Sequence, residues 1–424
     1  MKGFVISWFF PPINSSEGLV TFKLLKNSKF DYDVYTQSSN KTWSYDTNET
    51  KLVSDNIRNL SLNNKKVTYE QWVQKGVDYF DKNVDKYDFI MSRSMPPESH
   101  EIALKIKQKY PNKLWIASFG DPIANNPYNE LFKEEAPHSL KGQQFEYIPI
   151  KRIISPVRIL KNGLWKARKF KYNLKNNLQK IHSELQRQTI LNADVLIFNN
   201  KFQYEHMLKD YDESIKSKGI IIPHTFDKDF YADNAKKSKD KITIRHLGHL
   251  DVARTPITFF KAIKRLKDKN SNLKDILNVE LYGDVADKDK LYIINNELYD
   301  VVKIKKPVTY FESLKLMQES DLLLLVDANL SNVLDKNIFF AAKIADYIGS
   351  GTNIFGITMT DGPSADILKE TNGIQCSYSP DEIYMKLRMI IDSKQIPKQR
   401  NAQNYDIKNV VQKYDKIVEE KIKG

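Results

Sequence analysis

The chain has 424 residues, of which 41% are hydrophobic and 28% are charged, a composition typical of a globular protein with room for two or three domains. Lys and Arg outnumber Asp and Glu by 66 to 53, so the net charge of +13 favours an anionic partner: a phosphorylated substrate, an anionic lipid or nucleic acid. No apolar run approaches the ~18 residues of a membrane-spanning helix. Cys376 is the single cysteine, which excludes a disulfide framework and favours a reduced cytoplasmic protein.

The first half of the chain alternates short apolar runs with helical patterns. Strands are predicted at 4–9, 87–91, 113–119, 195–198 and 220–223. Helices are predicted after Glu17 and through 102–106. Strands that alternate with helices indicate βαβ units and a mostly parallel sheet.

The pattern breaks at 227–241, where a polar, lysine-rich stretch predicts a linker. Alternation then restarts, with strands predicted at 242–247, 279–282, 301–304, 321–326 and 353–357, and helices at 255–266, about 336–348 and about 405–422. Two open parallel sheets that face each other leave a crevice at the carboxyl ends of their strands, which is where such folds bind ligands.

The predicted fold class is therefore α/β, with two Rossmann-like domains whose parallel sheets face a central crevice. The first domain covers 1–230 and the second covers 240–400. A C-terminal helix within 401–424 is expected to pack back on the first domain. A basic helical insertion is expected in the first domain, at about 130–190.

Residues 151–180, inside that insertion, contain ten Lys and Arg, no Asp or Glu, and interleaved apolar side chains that include Trp165. This combination suits the headgroup region of an anionic membrane. Nucleic acid is a second possible partner, but no nucleic-acid motif accompanies the segment, and a solvated helical insertion is a third reading. We expect a protein attached peripherally to the inner face of the cell membrane.

The segment 337–358 carries the most chemical information. On a helix, Lys343 and Asp346 are three residues apart and share a face. Gly349-Ser350-Gly351 then ends the helix before an apolar strand. Lys343 is suited to diphosphate charge and Asp346 to a ribose hydroxyl, although a surface Lys–Asp pair on a packed helix explains the same residues.

This segment resembles the donor-site helix of glycosyltransferase family 4, which has the GT-B fold. Many bacterial members read Pro-Ser-Lys, an apolar pair, Glu-Tyr and a glycine-containing turn. Here Lys343 matches the family Lys, Asp346 the Glu, Tyr347 the Tyr and Ser350-Gly351 the turn. Many members carry an earlier Glu, and Ile338 stands at that position in this chain.

Other stretches resemble the same family in the same order. The run 246–254 resembles the first strand and glycine loop of the second domain, with Gly248 and His249 in the loop; the resemblance gives Arg254 the role of holding the donor diphosphate. Tyr282-Gly283-Asp284 and the loop containing Val308 resemble the strand ends beside the nucleotide base. Residues 221–227 resemble the run that closes the first domain.

The acceptor side of the resemblance lies in the first domain. Pro12 with Glu17-Gly18 resembles the first loop, and 115–122 resembles a strand that ends in Arg-Asp, with Asp121 matching the Asp and Gly120 replacing the Arg. The candidate catalytic residues are Asp121, Arg254 and Lys343. The candidate donor-binding residues are Gly248, His249, Arg254, Gly283, Asp284, Val308, Lys343 and Asp346. The candidate acceptor-side residues are Pro12, Glu17, Gly18 and Asp121.

The resemblance implies a hexosyltransferase that takes a sugar from a nucleotide-diphosphate sugar, with UDP-sugar favoured, retains configuration and needs no metal or cofactor. The basic segment 151–180 favours a lipid-linked or cell-surface polysaccharide acceptor. The Asp-x-Asp pairs that begin at Asp227 and Asp287 are read as coincidental. A metal site at His246, His249 and Asp251 lacks further ligands. Two rival functions stay open: a non-catalytic partner or chaperone of another transferase, motivated by Ile338, and a nucleotide-sugar epimerase, which needs acid/base carboxylates and His in the crevice.

Overall fold

The structure is a computed structural model that describes residues 1–13, 15–37, 52–61, 67–128, 178–232, 235 and 240–423. Within these ranges the strands form two parallel sheets, of seven and six strands. Helices connect successive strands along the chain. The predicted α/β class is confirmed. The predicted membrane-binding segment 151–180 lies outside the described residues except for its last three positions.

The first sheet has the order β3-β2-β1-β4-β5-β6-β7, and every pairing in it is parallel. Its strands are β1 (Lys2–Ile6), β2 (Asp31–Thr36), β3 (Ile57–Ser61), β4 (Phe89–Arg93), β5 (Leu114–Ser118), β6 (Val195–Phe198) and β7 (Gly219–Ile221). Its helices are α1 (Ser16–Asn27), α2 (Tyr69–Asp81), α3 (Glu98–Lys109), α4 (Leu178–Asn192), α5 (Lys201–Leu208) and α6 (Glu213–Lys216). The central strands β4 and β5 are buried along their whole length, as expected of a parallel sheet covered by helices on both faces.

The second sheet has the order β10-β9-β8-β11-β12-β13 and is also parallel throughout. Its strands are β8 (Ile242–Leu247), β9 (Leu277–Tyr282), β10 (Val302–Lys305), β11 (Leu322–Val326), β12 (Asn353–Ile357) and β13 (Ile374–Cys376). The helices of this half are α7 (Ile257–Lys269), α8 (Leu273–Ile276), α9 (Asp287–Asn295), α10 (Tyr310–Gln318), α11 (Lys343–Gly349), α12 (Pro363–Thr371), α13 (Pro380–Ser393) and α14 (Ile407–Lys423).

Local sequence explains where several of these helices begin. Thr68 and Gln71 form a capping box at the start of α2, each side chain bonding the backbone N–H of the other. At α13, Ser379 accepts a hydrogen bond from the Glu382 N–H, and Pro380 occupies the first helical position, where its missing N–H costs nothing.

The helix predicted over about 336–348 is shorter than expected, because α11 begins only at Lys343. The residues before it bond elsewhere. The Asn337 N–H donates to the Asp361 carbonyl at 2.9 Å, and the Asn337 side chain accepts from the Phe339 N–H at 2.9 Å. Side-chain and long-range bonds therefore replace the first helical turns.

The C-terminal helix α14 contacts α1 of the first sheet's layer. Asp415 accepts a hydrogen bond from the Ser28 hydroxyl at 2.6 Å, and Glu419 pairs with Lys29 at 2.9 Å. Tyr414 is buried beside Met91 of β4, with its hydroxyl 3.6 Å from the Met91 sulfur. None of the described helices is long and apolar enough to cross a membrane.

The strand order reverses between β1 and β4 in the first sheet and between β8 and β11 in the second. Helices leave on opposite sides of such a switch point, so an open crevice remains at the carboxyl ends of the two strands. The residues that follow β4, β8 and β11 are therefore the natural components of a binding site.

Candidate functional site

Lys343 lies at the start of α11, and its amine is held at the end of β8. Its Nζ lies 3.3 Å from Nε2 of His246, the fifth residue of that strand. Gly248 follows the strand with φ of +126°, and a Cβ added there would lie 2.7 Å from the Lys343 Nζ. A glycine is therefore required both for the backbone conformation and for the close approach of the amine.

Gly283 repeats this arrangement at the end of β9. Its φ is +120°, and a Cβ added there would lie 2.5 Å from the Gly248 carbonyl oxygen. The two glycines let the ends of neighbouring strands approach closely. The other predicted donor-side residues of this edge lie further out: His249 is 70% exposed, with Nδ1 3.6 Å from an Asp284 oxygen, and Val308 packs at the margin of the core.

Arg254 is presented by a tight turn after β8. The Asp251 carboxylate accepts hydrogen bonds from the backbone N–H groups of Ala253 and Arg254, both at 3.0 Å. The Arg254 guanidinium reaches across to the first domain, where it donates to the Tyr128 hydroxyl at 3.2 and 3.4 Å. Tyr128 in turn packs edge-on against Phe339 of the second domain, with ring centroids 4.4 Å apart.

Burial and neighbouring charges shift the pKa values of Lys343 and Asp327. Burial and the nearby Arg254 charge together lower the pKa of Lys343 to about 7, against the opposing effects of Asp327 and Asp251. Burial raises the pKa of Asp327, the residue directly after β11, to about 6, against the opposing effects of Ser364, Arg254 and Lys343. Two cations, Arg254 and Lys343, and two carboxyl groups, Asp251 and Asp327, therefore act on one another electrostatically at this site.

Asp346 is engaged by residues from both domains. Its Oδ1 accepts from the Lys23 ammonium of α1 at 2.9 Å and from the Tyr310 hydroxyl at 3.0 Å. Its backbone carbonyl accepts from the Tyr231 hydroxyl at 2.9 Å. The side chains of Lys23 and Asp346 are 3% and 12% exposed, so the ion pair is buried at the domain interface.

The first domain contributes a charged cluster opposite the cations. Arg93, the last residue of β4, donates from Nε to Glu17 at 2.7 Å and from Nη1 to the Ser118 hydroxyl at 2.9 Å. Its buried Nη2 has no hydrogen-bond partner among the described residues. Burial, and then the Glu17 charge, raise the pKa of Asp121 to about 6, against the opposing effects of Arg93 and Arg254.

Small residues shape this acceptor-side loop. A Cβ added at Gly120 would lie 2.7 Å from a Glu17 carboxylate oxygen, and one added at Gly18 would lie 3.0 Å from the Phe10 backbone. Pro12, between buried residues of the same loop, is exposed. The Glu17 carboxylate therefore lies directly over the strand end that carries Asp121.

The structure brings Gly248 and Lys343 together, and the Arg254 charge acts on both Lys343 and Asp121. Four further site residues were not predicted from the sequence: Arg93, Tyr128, His246 and Asp327. Arg93 and Asp327 shared a usable signal, because each is a polar residue that ends or directly follows a buried strand beside a switch point.

The two Asp-x-Asp pairs contain aspartates that bond to other side chains of the protein. Asp227 pairs with Lys26 at 2.9 Å, and Asp289 accepts from the Thr255 hydroxyl at 2.7 Å. Among the described residues, no group of three or more His, Cys, Asp or Glu side chains is arranged to hold a metal ion.

No protein-family model matches the chain, and no curated protein sequence matches it significantly. Solved structures do match its fold. Sucrose-phosphate synthase from Thermosynechococcus elongatus aligns with a TM-score of 0.65 at 11% identity, covering 99% of this chain and 98% of that one. The UDP-forming α,α-trehalose-phosphate synthase from Burkholderia xenovorans, in complex with glucose-6-phosphate, gives 0.59 at 9% identity and covers 100% of both chains.

A Listeria monocytogenes protein assigned as a UDP-N-acetylglucosamine 2-epimerase also matches, with a TM-score of 0.56 at 10% identity, covering 99% of this chain and 95% of that one. These matches extend over both domains and agree with the two parallel sheets. They confirm the predicted GT-B fold of two Rossmann-like domains.

Proposed function

We propose that this protein is a GT-B glycosyltransferase that takes a sugar from a nucleotide-diphosphate sugar, with a UDP-sugar favoured. The observation that carries the proposal is the presence of two cations, Arg254 and Lys343, near the switch point of the second sheet. Two cations at such a position, beside glycines that admit close backbone approach, are suited to the diphosphate of a bound donor.

The proposed chemistry is stabilisation of a leaving group. Negative charge grows on the diphosphate as the bond to the sugar breaks, so cations held at that place lower the barrier. Arg254 can donate two hydrogen bonds to phosphate oxygens, and it would exchange its bonds to the Tyr128 hydroxyl for them. Lys343 supplies a second positive charge from the start of α11.

The acceptor would bind on the first-domain side, near Glu17 and Asp121. With a pKa of about 6, Asp121 is ionised at neutral pH and can accept a hydrogen bond from an acceptor hydroxyl. The named activities of two structural relatives, synthesis of sucrose phosphate and trehalose phosphate, support sugar transfer on this fold. The proposal of a lipid-linked or cell-surface acceptor depends on the basic segment 151–180 and on the resemblance to family 4.

Calorimetric titration with UDP tests the donor site. Arg254→Ala should weaken UDP binding by at least tenfold, because a charge-assisted hydrogen bond is worth about 1.5–3 kcal/mol. Arg388→Ala is the matched control, since Arg388 is exposed on α13 and its partners, Asp392 at 3.2 Å and Tyr384, lie on the same helix. Equal UDP affinities for the two variants would refute the assignment.

A nucleotide-sugar epimerase is the second candidate, because the carboxyl groups of Glu17 and Asp121 can act as acid and base in the crevice and one structural relative carries that assignment. Product analysis separates the two. An epimerase returns the nucleotide sugar with UDP still attached and one ring centre inverted, whereas a transferase releases UDP, faster when acceptor is present. Binding without either product would favour a non-catalytic partner protein.

A further inference from the structure

His246 connects the proposed diphosphate cation to the backbone of the second sheet. Its Nδ1 lies 2.8 Å from the Leu324 carbonyl oxygen of β11, and its Nε2 lies 3.3 Å from the Lys343 Nζ. The ring is fully buried. One imidazole therefore links three elements of the second domain: β8, β11 and α11.

The chemistry of the two partners fixes the protonation of the ring. A backbone carbonyl can only accept, so Nδ1 carries the hydrogen and donates it. A neutral ring then leaves Nε2 unprotonated, free to accept from the Lys343 ammonium. Burial and the Lys343 charge lower the pKa of His246 well below its usual range, against the opposing effects of hydrogen bonds to the backbone of Leu324 and His249, which agrees with a neutral ring.

A neutral hydrogen-bond partner can orient a cation without competing with the anion that the cation must bind. The charged groups that act on Lys343 are Arg254, Asp327 and Asp251, yet among the described residues no carboxylate lies within ion-pair distance of its Nζ. A carboxylate at that position would cancel the ammonium charge and compete with a phosphate. The neutral imidazole directs the amine and brings no negative charge that would compete with the ligand.

We propose that His246 is a positioning residue, which holds the Lys343 ammonium toward the diphosphate of the donor. The inference depends on the proposed function, since it assigns Lys343 a diphosphate ligand. His246 itself touches no substrate in this arrangement. The neighbouring Gly248 completes the restraint, because a side chain there would displace the amine.

Two substitutions test the two hydrogen bonds of the His246 ring one at a time. His246→Asn places an amide N–H where Nδ1 was, so it keeps the bond to Leu324 but offers Lys343 no acceptor. His246→Gln places an amide oxygen near the Nε2 position and restores the acceptor. We expect His246→Asn to weaken UDP binding about tenfold and His246→Gln about threefold or less. A purely structural role predicts the opposite order, because Asn preserves the link between the strands.

A double-mutant cycle with Lys343→Met distinguishes the failure of this inference from the failure of the proposed function. We expect Lys343→Met to weaken UDP binding and His246→Asn to have no further effect in that background. Unchanged UDP affinity in Lys343→Met would refute the donor site itself. A His246→Asn effect that persists in the Lys343→Met background would refute only the positioning role.

Nitrogen NMR of the unmodified protein supplies a readout that does not depend on variant folding. The imidazole ¹⁵N shifts of His246, assigned by their loss in His246→Gln or by selective labelling, should report a neutral ring protonated at Nδ1, with Nε2 shifting when UDP is added. A ring protonated at Nε2, or an Nε2 signal indifferent to UDP, would overturn the proposal.

Discussion

Lys23→Met tests whether the interdomain ion pair competes with the donor for Asp346. The Lys23 ammonium lies 2.9 Å from the same Asp346 oxygen that accepts from Tyr310. If the donor ribose bonds this carboxylate, the ribose must either share the carboxylate with Lys23 or displace the Lys23 ammonium. Methionine keeps the length and most of the apolar volume of lysine but removes the charge.

The burial of the pair sets the expected size of the effect. Removing one partner of a buried ion pair typically costs about 3–5 kcal/mol, because the other charge is left uncompensated. The Tyr310 hydroxyl still donates to Asp346 in the variant, so we expect a value near the lower end, about 3 kcal/mol. A ribose hydroxyl would then meet a carboxylate that has lost its Lys23 partner, and we expect UDP to bind about tenfold more tightly to Lys23→Met.

Denaturant unfolding and UDP calorimetry measure the two effects. Lys26→Met is the matched control, because Lys26 lies on the same helix and pairs with Asp227 at 2.9 Å, away from Asp346. It should lower stability without changing UDP affinity. If Lys23→Met lowers stability and leaves UDP affinity unchanged, the carboxylate serves only the domain interface and the ribose assignment of Asp346 is wrong.

Three further predictions concern the donor site and the basic segment. Asp346→Asn should weaken UDP binding with the fold intact, whereas Asp346→Glu should keep part of the affinity; equal binding by the parent and Asp346→Asn would contradict the ribose role. Gly248→Ala should weaken UDP binding more than tenfold by displacing the Lys343 amine, while Gly351→Ala, also at positive φ but with no atom within 4 Å of the added Cβ, should cost only stability, about 1–3 kcal/mol by thermal unfolding. Reversing the charges of Lys166, Arg168, Lys169 and Lys171 should abolish salt-sensitive sedimentation with phosphatidylserine vesicles, each basic residue being worth about 1 kcal/mol; unchanged sedimentation would contradict membrane binding.

The sequence predicted the fold class because strands buried on both faces read as continuous apolar runs. The run of β11, Leu322–Val326, and that of β6, Val195–Phe198, are examples of this pattern. Strands β2, Asp31–Thr36, and β3, Ile57–Ser61, were not predicted, because both are interrupted by polar residues. Asp33 is nonetheless buried in β2, where Lys2, Arg58 and Tyr87 satisfy its carboxylate. Pairing of this kind depends on residues distant in the chain and leaves no local pattern.

The same limit explains the site residues that sequence reasoning missed. Lys343 and Arg254 were selected because each belongs to a recognisable local segment. His246 and Tyr128 acquire their roles only through contacts with residues about a hundred or more positions away, Lys343 and Arg254 respectively. Periodicity places a side chain on a face of its own element, whereas the partner on another element follows from tertiary packing.

UDP binding should depend on pH through Lys343. Its pKa of about 7 lies below the ordinary value, so in the free protein the amine is about half charged at pH 7 and about one-tenth charged at pH 8. A bound diphosphate favours the ammonium form, so binding at pH 8 should take up a proton and be roughly fivefold weaker than at pH 7. The same shift acts on stability in a defined direction: between pH 7 and pH 10 the unfolded chain binds more protons than the folded one at this residue, so its contribution to the free energy of unfolding rises with pH.

Calorimetry at pH 8 in HEPES and in Tris, which differ in ionisation enthalpy, measures the proton uptake. Lys343→Arg is the control, because its guanidinium stays charged at both values and should remove the uptake; the same uptake in that variant would show that another group, such as Asp121 or Asp327, takes the proton.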